Sequence, residues 1–98
     1  MSEHPAERAA AAEKAAKTRR AVAAAQAALP VAQADGELPR GALIDVPGRG
    51  VGTYQRFERK RVGANAHRIS FGGSVVAVEL KHFTTWSVSD SGALVARP

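Results

Sequence analysis

Between residues 48 and 88 the chain is cut by glycines into short segments whose apolar residues recur at every second position, and this stretch limits the fold more than any other. A period of two puts successive side chains on opposite faces, the pattern of half-buried strands. Residues 42–46, 51–57, 67–71, 75–80 and 86–88 read as five such strands. Pro47-Gly48 turns the chain before the second, and Gly72-Gly73 is a hairpin signal of the two-residue kind. In the second segment Val51, Thr53, Gln55 and Phe57 alternate with Gly52, Tyr54 and Arg56. Assigning Phe57 to the core leaves Tyr54 and Arg56 on the outer face. His67, Ile69 and Phe71 share the inward phase. Residues 75–80 are almost continuously apolar, as expected of the most buried strand.

A sheet this small protects its edges most simply by closing on itself. The order of Gly50-Val51-Gly52 leading into Tyr54 and Phe57, then residues 67–73, then 76–80, then Trp86-Ser87-Val88, resembles an SH3-like or Tudor-like barrel over residues 42–89. The expected fold is therefore mainly β, a five-stranded SH3-like barrel preceded by an alanine-rich helix. The resemblance implies a non-catalytic adaptor that binds peptides, modified side chains or nucleic acid. A Tudor-type reader of methylated Lys or Arg would draw its aromatic cage from Tyr54, Phe83 and Trp86, with Glu79 as the acid, because aromatic faces hold quaternary cations. An SH3-type groove would need an acidic loop, and the corresponding loop here is basic.

The first thirty residues are dominated by alanine with Glu, Lys, Arg and Gln between, all strong helix formers. Pro5 suits a first turn, and Pro30 is expected to end the helix. On a helical wheel Val22 and Leu29 fall near Ala11 and Ala15, while Ala9, Ala12, Ala16, Ala23 and Ala27 form a second strip. Neither is wide, so the helix reads as a spacer or as a surface for a partner helix. Residues 31–41, with Asp35-Gly36 and Pro39, read as linker, and residues 90–98 as a C-terminal tail. Alanine with Arg19 and Arg20 is shared with organelle transit peptides, whereas Glu3, Glu7 and Glu13 argue against one. No run approaches the roughly 20 apolar residues of a membrane span, and an intracellular location, cytoplasmic or nuclear, is the expectation.

Charge locates the candidate binding surface. The chain carries 14 Lys and Arg against nine Asp and Glu, a net charge of +5. Six basic and five acidic residues lie in the first forty, eight and four in the remainder, so the excess belongs to the second half. Arg56, Arg59, Lys60, Arg61 and Arg68 fall within thirteen residues, and a hairpin would bring Arg68 back beside Arg56. A basic hairpin attracts acidic protein partners. With Tyr54 on the same face it could also follow a phosphate backbone while a base stacks on the ring. A merely solvated loop competes with both readings.

Catalytic signals are weak. Gly48-Arg49-Gly50-Val51-Gly52 invites a nucleotide-loop reading, but a strand follows instead of a helix N-terminus, and a bend fits better. His67 sits on the inward phase as a hydrogen-bonded core histidine. A trio of Asp45, His67 and a serine lacks the strand-to-helix turn of a nucleophile. His4, His67 and His82 match no metal spacing, and the absence of cysteine excludes thiolate sites. The expectation is a non-enzyme without cofactor or metal.

Overall fold

The structure is a computed structural model that describes residues 5–98, with side chains from residue 12 onward. One long helix, α1 (Pro5–Gln33), precedes six strands: β1 (Leu43–Val46), β2 (Gly50–Glu58), β3 (Ala66–Phe71), β4 (Ser74–Val78), β5 (Thr85–Val88) and β6 (Leu94–Arg97). A short 3-10 turn, Leu80–His82, joins β4 to β5. The strands form one mixed sheet in the order β4-β3-β2-β1-β6-β5, antiparallel throughout except that β6 runs parallel to β1. The fold is mainly β with an N-terminal helix. It is not a closed five-stranded barrel: β4 and β5 are the two ends of an open sheet.

The sixth strand is the reason. Residues 94–97, expected as tail, insert between β1 and β5, with Ile44 beside Leu94 and Asp45 beside Val95. Leu94 and Ala96 are fully buried, so the last segment is an interior strand of the sheet. The inner face is built from Ile44, Val46, Tyr54, Ile69, Val78, Leu94 and Ala96, with Leu38 and Leu80 closing over it from the connections. Each large apolar side chain so buried contributes roughly 1.5–3 kcal/mol.

α1 docks through a stripe of alanines beside the first expected strip, whose Val22 and Leu29 are half-buried at its margin. Among the described side chains Ala25, Ala28 and Ala32 are its buried residues, Leu29 packs partly against the core, and Ala12, Ala23 and Ala27 stay exposed. Ala9 and Ala11 lie outside the described side chains. The stripe is made of alanine because the backbone passes close to the sheet: a Cβ built on Gly92 would lie 2.6 Å from the Ala21 Cβ. The helix also runs through Pro30 instead of stopping there. Pro30 is exposed, and Ala28 and Ala32 dock on either side of it, which offsets the one intrahelical bond its ring removes.

The helix end is then tightly stitched. The Asp35 amide donates to the Ala32 carbonyl at 3.2 Å and the Gly36 amide to the Val31 carbonyl at 2.9 Å, the paired bonds of a Schellman motif. The left-handed residue of that motif is Asp35, with φ 56°, where glycine is usual. A non-glycine residue there costs about 1–2 kcal/mol.

Candidate functional site

A register shift between Tyr54 and Arg56 decides which β2 side chains face outward. The extra residue of a β-bulge reverses the alternation. Gly52 and Tyr54 point inward before it and Phe57 after it, while Arg56 and Glu58 lie on the outer face. Tyr54, expected beside Arg56, is instead 1 % exposed. Gly52 faces the core because Ile69 and Phe71 occupy the space a side chain would need, with a built Cβ only 2.6 Å from the Ile69 Cγ2.

On the outer face the predicted basic residues divide into two groups. Arg56 and Arg68 are cross-strand neighbours and converge on Glu58. Arg68 Nε donates to Glu58 Oε1 at 2.9 Å, Arg56 Nη2 to the same oxygen at 3.0 Å, and Lys60 Nζ lies 3.5 Å from Oε2. The hydrogen bond from Arg68 is the main cause that holds the Glu58 carboxyl below its ordinary range, helped by the charges of Arg68 and Lys60. Three of the five cations expected to be open are thus already engaged with one carboxylate. Arg59 and Arg61 stand exposed on the loop between β2 and β3 and make no ion pair among the described residues. At its tip Val62 is 91 % exposed.

One carboxylate does not neutralise this surface. Arg40, from the connection after α1, joins Gln55, Arg56, Arg68 and Val75 around a shallow depression of about 330 Å³. Arg40 and Glu58 carried no distinguishing signal in the sequence, since an arginine before Gly41 reads as linker and a lone Glu inside a basic run reads as solvated. The larger apolar groove, about 440 Å³ between α1 and the sheet, is lined mainly by alanines with Leu43 and Leu94, and Arg40 is its one charged lining residue.

The aromatic cage does not assemble. Tyr54 is buried on β2, separated from Trp86 on β5 by β1 and β6 in the strand order. Phe83 and Trp86 pack partly against the core, and Glu79 pairs with His82 at 2.9 Å.

The inward side carries a polar array that the sequence reading missed. His67, 1 % exposed, lies between the Tyr54 hydroxyl at 2.9 Å from Nδ1 and the Asp35 carboxylate Oδ1 at 2.7 Å from Nε2. Asp35 can only accept there, which puts the proton on Nε2 and makes Tyr54 the donor to Nδ1 in the neutral ring. Burial, acting against a backbone hydrogen bond from Leu38, pushes the Tyr54 hydroxyl up to about 12. Asn65 completes the array: its Nδ2 donates to the Asp35 carbonyl at 3.0 Å, and its Oδ1 accepts from the Lys60 amide at 3.0 Å. The end of α1 thereby fixes the base of the basic loop. The acid partner of His67 is Asp35 and not Asp45, which pairs with Arg97 at 3.2 Å.

Among the described residues no cluster of His, Asp and Glu could hold a metal ion, and no helix is long and apolar enough to cross a membrane. Comparison with protein-family models, with curated proteins and with solved structures found no match.

Proposed function

We propose that this protein is a non-catalytic interaction module that docks an acidic protein partner through the β2–β3 hairpin and the arginines at its base. One observation carries the reading: the exposed Arg59 and Arg61 lead into an apolar tip, Val62, on a loop whose root is anchored by Asn65 and Asp35. A pre-positioned basic loop loses little freedom on binding, and a largely exposed valine at its apex supplies apolar contact beside the charges. Arg40, Arg56 and Arg68 around the adjacent depression extend the same positive surface. Glu58 occupies the place a partner carboxylate would take, so the partner exchanges one ion pair for another instead of meeting bare cations.

A nucleic-acid ligand fits less well. That reading used Tyr54 as the stacking surface, and its ring is enclosed. A methyl-Lys or methyl-Arg reader loses the same ring.

The test is fluorescence anisotropy with a labelled Glu/Asp-rich peptide, and with random single- and double-stranded nucleic acid, at low and moderate salt. The peptide is expected to bind and the double substitution Arg59→Glu/Arg61→Glu to abolish binding. Glu58→Gln, which frees Arg56 and Arg68, is expected to tighten it. Absence of peptide binding, or binding indifferent to the double substitution, overturns the proposal. Nucleic-acid binding whose log affinity falls by about 0.7–0.9 per phosphate contact with log salt would establish the other reading.

A further inference from the structure

β4 was expected to be the most buried strand, and it is an open edge. Its residues Ser74, Val75 and Ala77 are exposed, Val75 by 53 %, and only Val78 is buried. Proteins usually protect such an edge with lysine, proline, a bulge or a covering element. Residues 73–78 contain no charge and no proline, and the pairing with β3 is regular along its whole length. The opposite edge of the sheet, β5, lies under α1.

We infer that β4 pairs with β4 of a second copy of this chain, antiparallel about Val76, to make one continuous sheet of twelve strands. The hydrogen-bonding phase of the strand fits this self-pairing. Gly72 and Gly73 both have positive φ, 57° and 91°, so β3 and β4 are joined by a two-residue turn closed by Phe71 and Ser74. The closing pair exchanges both its hydrogen bonds, and pairs alternate from there. Ser74, Val76 and Val78 therefore bond to β3, while the amides and carbonyls of Val75 and Ala77 point out of the sheet. A two-fold axis through Val76 sets Val75 of one copy opposite Ala77 of the other, which are the outward-pointing residues on both. Register and phase agree without a slip.

The two-fold axis stands perpendicular to the sheet, so both copies keep the same outer face. Arg68 of each copy then lies three strand spacings across and two residues along from its counterpart, about 16 Å away. Two arginine-lined depressions share one surface, with Val75 and Ala77 of both chains between them. Pairing of five-residue strands covers less than about 1,000 Å², so the association is weak and depends on concentration.

Sedimentation velocity from about 10 µM to about 1 mM, the range suited to so small an interface, tests the inference. The mean mass is expected to rise toward twice that of the monomer. Hydrogen exchange over the same range should slow at the Val75 and Ala77 amides by tenfold or more in about that window, and leave the Val76 amide unchanged. Ala77→Pro removes an outward amide without touching the β3 ladder, and Ala77→Lys places a charge on the edge; each is expected to stay monomeric with an unchanged circular dichroism spectrum. If the proline variant does not fold, the lysine variant carries the test. A chain that is monomeric at every concentration overturns the inference, as does a dimer that both variants leave intact.

Discussion

Tyr54 is the only tyrosine in the chain, so its ionisation can be followed by the ultraviolet absorbance of tyrosinate with no other contributor. Burial is the main force that moves it from an ordinary 10.0 to about 12, with the charges of Glu37 and Asp35 pushing the same way and the Leu38 backbone bond opposing. Each tenfold in proton affinity is worth about 1.4 kcal/mol, so about 3 kcal/mol of folding stability depends on the phenol staying protonated. The folded value lies above the unfolded one. The contribution is therefore fully present below pH 10 and is lost as pH rises through about 12. Alkaline titration should show tyrosinate appearing together with the loss of near-ultraviolet circular dichroism, well above the midpoint of free tyrosine. Tyr54→Phe should remove this dependence. It should also cost about 1–3 kcal/mol at neutral pH, because Nδ1 of the buried His67 is left without a donor. A tyrosinate midpoint near 10 with the fold intact would refute the reasoning, since it would mean that the hydroxyl reaches water.

Substitutions at three further positions probe the helix and its junction with the sheet. At Asp35 the left-handed backbone and the bond to His67 oppose one another. Glycine recovers about 1–2 kcal/mol of backbone strain but loses a charge-assisted bond of about 1.5–3, so urea unfolding should rank wild type above Asp35→Gly, and Asp35→Gly above Asp35→Ala. A glycine variant more stable than wild type would show that the carboxylate contributes nothing. Gly92→Ala meets Ala21 at 2.6 Å with φ +87°, and should lower stability by about 2–5 kcal/mol in thermal melts; an unchanged midpoint would contradict the close helix crossing. Pro30→Ala restores a helical amide worth about 3 kcal/mol and returns about 1 of unfolded-chain entropy, a net gain of about 2, also read in urea. Glu58 gives an acid-side dependence of the opposite sense to that of Tyr54. Its folded value is depressed, so its share of stability is present above the usual 4.5 and fades as pH falls below it, and Glu58→Gln should flatten that part of an acid unfolding curve.

Much of the strand layout was legible because period two is a strong local signal. Five strands fall where the alternation puts them, the Gly72-Gly73 turn has the two positive φ angles it implied, and His67 is the hydrogen-bonded core histidine its phase indicated. The errors arise where one residue or one distant partner changes the meaning of a local pattern. The bulge after Tyr54 reverses the faces of β2, and no residue type in that segment announces it. The apolar run of residues 75–80 cannot distinguish a central strand from an unguarded edge, because that depends on what lies beside it. Residues 94–97 are too few to declare a strand, and their place is set by β1, about fifty positions earlier. The basic cluster was legible as composition. Its pairing to Glu58 was not, since i and i+2 on a strand share a face only where the pleat is regular.

The parallel seam between β1 and β6 has a consequence for how the molecule is made. Every other neighbouring pair in the sheet follows directly in the chain, whereas this one joins segments separated by nearly the whole module. Such a closure is slow, because the entropy of a long loop is spent before any contact repays it. Strands β1 to β4 can zip together as hairpins while synthesis continues. The remaining pair, and the roof of alanines that rests on it, must wait until residues 94–97 have emerged, and a chain cut short at Gly92 would leave Trp86 without its neighbour Ala96 and β5 with no strand to join it to the sheet.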